Sequence, residues 1–168
     1  GSMVELVWLP LYTPSVLLTK GISFPAYVTM DPLEDPGIQL GKSGLGLRYD
    51  LRTSLLDLDA LYFHGYRNTP GIQFSSASFD PVTFQPENIQ LYQIAYRINQ
   101  AGFNTAIPAG SFIFRLEGSW MEPTAGDEDD PAIPFSEFSY AAELEQSGAA
   151  VTFIAGYLGK YIIDFTAP

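Results

Sequence analysis

The sequence predicts an all-β protein: an antiparallel up-and-down meander of roughly eight strands, closed or partly closed into a β-barrel. Three observations predict it. Apolar residues recur at every second position, with almost no helical periodicity. The chain of 168 residues is interrupted at short intervals by 13 Pro and 15 Gly, which break strands and make turns. The segments between them are rich in aromatic and β-branched side chains, which suit a pleated surface.

The elements follow in order. Gly1-Ser2-Met3 reads as a cloning scar, leaving residues 4–168 as a single β-barrel domain. Residues 4–43 are an irregular, Pro-rich first part, one or two short strands (Val4–Leu9 the first) and a long loop; Pro10, Pro14, Pro25, Pro32 and Pro36 break the region. Residues 44–168 form the regular meander. In Leu45–Arg52, Leu45, Leu47, Tyr49 and Leu51 share one face, and Arg48, Asp50 and Arg52 share the other. Thr53-Ser54 turns the chain into Leu55–Tyr66, where Asp57 and Asp59 are set to face the two arginines. Ile72–Phe79 is a further strand. Ile89–Gln100 reads as one strand, with Tyr92, Ile94, Tyr96 and Ile98 on the apolar side and Arg97 on the polar side. Ser111–Met121 alternates most cleanly: Phe112, Phe114, Leu116 and Trp120 against Arg115, Glu117 and Ser119. Phe138, Tyr140, Ala142 and Leu144 then alternate with Glu143 and Glu145. Gln146-Ser147-Gly148 turns into Ala150–Tyr161, which Tyr161–Phe165 extends.

Composition removes several classes of function. The chain is 46% hydrophobic, too apolar for intrinsic disorder. It has no Cys, hence no disulfide scaffold and no thiolate metal site. Eight basic residues against 19 acidic, a net charge of -11, speak against a nucleic-acid binder.

Alternation does not tell which face is inside. A soluble barrel or sandwich hides its apolar face; a membrane barrel shows it to lipid and keeps its lumen polar. Strands longer than the usual ~5–6 residues and aromatics near strand ends favour the membrane. On that reading Tyr49, Tyr62, Tyr92, Trp120 and Tyr157 form the interfacial aromatics. Arg48, Asp50, Arg52, Asp57, Asp59, Arg97, Arg115, Glu117, Glu143 and Glu145 line the lumen. The partners are then a lipid bilayer or detergent and small solutes; open edges also allow an oligomer.

Particular segments point the same way. Val7-Trp8-Leu9-Pro10-Leu11-Tyr12-Thr13-Pro14-Ser15, Gly44-Leu45-Gly46-Leu47-Arg48, the run Asp57–Pro70 and the strand around Arg115-Leu116-Glu117 resemble a porin-like family of Gram-negative outer-membrane proteins whose domain has no known function. The resemblance is sharpest over residues 4–70. It implies an outer-membrane β-barrel, either a piece of a longer one or a shortened relative, and carries over no catalytic residue.

Other motifs are better read as structure. Pro36-Gly37-Ile38-Gln39-Leu40-Gly41-Lys42-Ser43 has too few residues between its glycines for a phosphate-binding loop, and a strand follows it instead of a helix. Asp127, Glu128, Asp129 and Asp130 offer carboxylates that calcium favours, but without the EF-hand spacing; such a charge run is ordinarily a solvated loop. His64, the single His, has no nucleophile motif around it and reads as a rim residue. Asp57/Asp59 and Glu143/Glu145 have a spacing of about 7 Å, near that of glycosidase acids, but share their face with many other charges. The expectation is therefore a non-enzymatic protein without cofactor: a porin-like channel or structural envelope protein in the outer membrane. The alternative is a soluble periplasmic or extracellular β-barrel or sandwich binding an apolar ligand or a partner protein.

Overall fold

The computed structural model describes residues 1–12, 15, 24–33, 40–124, 133–148 and 150–163. The chain is all-β. Its strands are β1 (Ser2–Leu9), β2 (Val28–Asp31), β3 (Gly44–Arg52), β4 (Asp57–Tyr66), β5 (Gly71–Phe79), β6 (Pro86–Ile94), β7 (Arg97–Ala109), β8 (Phe112–Pro123), β9 (Glu137–Ser147) and β10 (Thr152–Ile162). A short 3-10 turn, Leu40–Lys42, precedes β3.

Seven strands form one antiparallel sheet in the order β1-β3-β4-β7-β8-β9-β10. It is open, with β1 and β10 at its edges, and thus a partial barrel wall. Ser2 and Met3 belong to β1, opposite Leu51 and Asp50. The connections differ sharply between the two rims. At one rim they are tight. Thr53 Oγ1 accepts the N–H groups of Leu55 and Leu56 at 3.2 and 3.0 Å, a side-chain-stabilised turn. Gly110 at φ 66° starts the two-residue turn into β8, the conformation that favours Gly in a hairpin. Gly148 N–H closes on Val151 O at 2.9 Å between β9 and β10. At the opposite rim β1, β4 and β8 end, and long stretches of sequence, 10–43, 67–96 and 124–136, separate them from the next strands of the sheet.

Two of the long connections together carry a second sheet of three strands, β2-β6-β5, with β2 from the first and β5 and β6 from the second. β2 is parallel to β6, and β5 is antiparallel with two register shifts. Its neck is closed by Arg67 N–H on Tyr96 O at 3.1 Å. A small core sits there: Tyr96, Ile98, Met121 and Ile133 are the buried hydrophobic residues among those described, with Phe63 and Ile94 packed on them.

The expected strand Ile89–Gln100 is two strands in two sheets. The chain leaves the three-stranded sheet after Ile94 and enters β7 at Arg97. The alternation of Ile94, Tyr96 and Ile98 runs through the break because all three pack into the neck core. That core lies on the polar side of β7, so the phase read from the sequence is inverted there. β2 is the second short strand of the irregular first part, whose place the sequence left open, and the second half of β7, from Ala101 to Ala109, was not expected. Gly102 and Pro108 mask the latter. Pro108 lies beyond the last β4–β7 pair, Asp57↔Ala106, where β7 has a neighbour on one side only and a missing N–H is tolerated.

Candidate functional site: two unlike faces of one sheet

Side chains paired across a ladder share a face, and successive residues alternate between faces. Register therefore sorts the seven-stranded sheet into two unlike surfaces. On the first, the central row across the strands is Val4, Tyr49, Ala60, Phe103, Gly118, Tyr140 and Gly159. The row on one side is Leu6, Leu47, Tyr62, Ala101, Trp120, Phe138 and Tyr161. The row on the other is Ser2, Leu51, Leu58, Thr105, Leu116, Ala142 and Tyr157. None of the three rows holds a charge. The surface is open: Leu6 is 74% exposed, Phe103 44% and Tyr157 67%. Along β8 it runs from Phe112 to Trp120, about 27 Å at ~3.4 Å per residue. Toward the long-connection rim it turns polar at His64, Asn99 and Glu122. There Tyr62 Oη donates to Asn99 Oδ1 at 3.0 Å, and His64 Nδ1 lies 2.7 Å from the same oxygen.

The second surface gathers the charges. Glu5 comes from β1; Arg48, Asp50 and Arg52 from β3; Asp57 and Asp59 from β4; Arg115 and Glu117 from β8; Glu137, Glu143 and Glu145 from β9; Lys160 from β10. They form a lattice of ion pairs. Arg48 Nε donates to Asp59 Oδ2 at 2.7 Å. Arg52 Nη2 is 3.1 Å from Asp50 and Nη1 is 4.0 Å from Asp57. Arg115 bridges Glu143 and Glu145, the latter at 2.7 Å. Lys160 meets Glu137 at 2.5 Å. Asn104 Nδ2 donates to Glu117 Oε1 at 3.3 Å.

The sheet is hollowed on this polar side. One trough of about 510 Å³ is lined chiefly by residues of this face, including Asp59, Gln100, Asn104, Glu117, Ser119 and Lys160. A second, of about 630 Å³, lies at Arg48, Arg52, Asp57, Asp59 and Asn104. A third, of about 430 Å³, lies at the neck beside Phe63, Arg67, Ile98, Met121 and Glu137.

Nine of the ten charged positions expected to share a lining do share this face. Arg97 does not. By register it falls on the aromatic side, opposite Tyr66. Its guanidinium lies 5.6 Å from the Tyr66 ring and donates to Gly41 O at 2.8 Å and Ser43 O at 3.2 Å. The Gly41–Ser43 segment thus turns carbonyls toward a cation, the reverse of the N–H cradle a phosphate needs. Of the expected interfacial aromatics, Tyr49, Tyr62, Trp120 and Tyr157 lie on the apolar face. Tyr92 lies in the three-stranded sheet, donating to Gln73 Oε1. The acidic run Asp127, Glu128, Asp129 and Asp130 lies outside the described residues. Asn104 and Phe103 were missed because the second half of β7 was not read as a strand. Lys160 was missed because Gly156 and Gly159 interrupt the alternation of β10.

Three groups outside the seven-stranded sheet titrate abnormally, and burial raises the Tyr12 phenol. Burial pushes the Tyr96 phenol up. The backbone N–H groups of Val82 and Thr83 hold Asp80 below the usual carboxylate range at the tip of the β5–β6 hairpin. No family model, curated protein or solved structure matches this chain.

Proposed function

We propose that this chain is a wall of an outer-membrane β-barrel, its aromatic face toward lipid and its charged face lining an aqueous lumen. Its role is passive, as a porin-like channel or a structural envelope protein. The observation that carries this reading is the sense of the hollowing: the troughs lie on the charged side. A soluble barrel would enclose its apolar side instead. Among the described residues the apolar side is also uncovered, since the substantial contacts between elements of this sheet are all between hydrogen-bonded neighbours. Six of the seven strands are 9–13 residues long, enough to span when about 9–11 tilted residues suffice. Tight turns at one rim and long connections at the other match the usual asymmetry of such barrels.

Trp8 and Trp120, both on the apolar face by register, are the natural reporters. In vesicles containing brominated lipid, their fluorescence is expected to be strongly quenched, with most of the loss removed by Trp120→Phe. A bimane label at Glu117→Cys, on the charged face, is expected to escape quenching. Unquenched Trp in a detergent-free monomer would instead support a soluble protein with an apolar ligand.

A further inference from the structure

We infer that the lumen face selects cations over anions, and that Glu117 is its selectivity-determining residue. This rests on the barrel reading above and names the solutes it passes.

The charged face carries eight carboxylates against four cations, as its strand-by-strand composition gives. All four cations are committed. Arg48 is held by Asp59 and lies near Asp50. Arg52 is held by Asp50 and Asp57, Arg115 by Glu143 and Glu145, and Lys160 by Glu137. Of these eight carboxylates, two form no ion pair among the described residues, Glu5 and Glu117. Glu5 still faces Arg48 directly across the ladder. Glu117 faces Asn104 on one side and Ala141 on the other, and neither carries charge. Asn104 orients the carboxylate through its amide without neutralising it.

The placement of Glu117 makes its charge count. It lines the 510 Å³ trough, at the middle of a β8 strand that runs from Phe112 to Pro123. Its row continues through Asn104 to Asp59 and Asp50, so acid groups extend across the sheet at one level. A carboxylate without a protein counter-charge, standing exposed on the wall of that trough, concentrates mobile cations in the bore. Acidic rings act in this way in cation-selective pores.

The test is reversal potential in planar bilayers under a KCl gradient. The wild-type chain is expected to prefer K⁺ over Cl⁻ several-fold, with Glu117→Gln moving the permeability ratio toward one. Glu122→Gln, at the rim of the opposite face, is expected to leave the ratio unchanged. The chain has no Cys, so Glu117→Cys gives a unique thiol that can be modified after insertion. A cationic methanethiosulfonate should lower cation preference and an anionic one should restore it, in the same folded channel. An absent conductance would overturn the channel reading and this inference with it. A conducting barrel that prefers Cl⁻, or whose K⁺ preference is unmoved by charge at position 117, would overturn this inference alone.

Discussion

Asp50 and Asp59 stand directly opposite each other on β3 and β4, and like charges so placed destabilise an antiparallel pair. The sequence pattern suggests two arginines facing two aspartates, but the register is offset. Arg52 faces Asp57, whereas Arg48 faces Leu61 and reaches diagonally to Asp59. Arg48 and Arg52 thus flank the acid pair, with Asp50 within 3.8 Å of the first and 3.1 Å of the second. Removing Arg48 leaves the two carboxylates facing with one arginine between them. Arg48→Ala is therefore expected to lower the urea midpoint of the reconstituted chain, most strongly at low salt, where the repulsion is least screened. Arg48→Ala/Asp59→Asn should recover most of the loss, because the like-charge pair is gone. Equal losses in the single and double variants would mean that Arg48 acts by packing its stem, not by its charge.

At the scale of the strands, the central apolar row alternates large and small side chains: Tyr49, Ala60, Phe103, Gly118, Tyr140, Gly159. The glycines are where rings lie across the neighbouring strand. A Cβ on Gly118 would meet the Phe103 ring, and one on Gly159 the Tyr140 ring. Aromatic cover of a strand glycine offsets the packing the glycine lacks. Gly118→Ala is thus expected to destabilise at the low end of overpacking costs, about 1 kcal/mol, because the half-exposed Phe103 ring can swing aside, read as a urea midpoint shift in vesicles. Phe103→Ala/Gly118→Ala should cost less than the sum of the single changes, since contacting residues couple; strict additivity would show that the ring and the glycine are independent. This row also marks how far the sequence was legible. Alternation in Leu45–Arg52 and Ser111–Met121 identified both faces correctly, because nothing but the pleat sets the pattern there. It failed from Ile94 to Ile98, where the same alternation serves the neck core and carried Arg97 to the wrong face. It failed again at Ala101–Ala109, where Gly102 and Pro108 hide a strand that only pairing with β4 and β8 defines. Local pattern fixes which side chains share a face, whereas the partner strand decides which face that is.

For the whole molecule, strand direction governs closure. β1 and β10 both run from the tight-turn rim to the long-connection rim, because an odd number of strands separates an edge from another of the same sense. Direct pairing of the two edges would make a parallel seam in an otherwise antiparallel wall. Antiparallel closure needs an odd number of additional strands between β1 and β10, whatever their source. The two outcomes differ in function. A seven-stranded ring is narrower than the eight-stranded barrels whose bores side chains already fill, so the Arg48–Asp59 and Arg115–Glu143 pairs would be a plug and the protein structural. A wider ring leaves those pairs on the wall of an aqueous channel. Leu6 and Tyr161 occupy the same row at opposite edges, about 29 Å apart along the sheet at ~4.8 Å per strand. After membrane insertion and oxidation, Leu6→Cys/Tyr161→Cys is expected to form no intrachain disulfide, while Ala142→Cys/Tyr157→Cys, directly opposite on β9 and β10, does. The contrast is sharp because a disulfide needs Cα atoms within roughly 7 Å. Cross-linking of the edge pair would demonstrate the parallel seam, assign the ion-pair lattice to a plug, and leave no bore for Glu117 to tune.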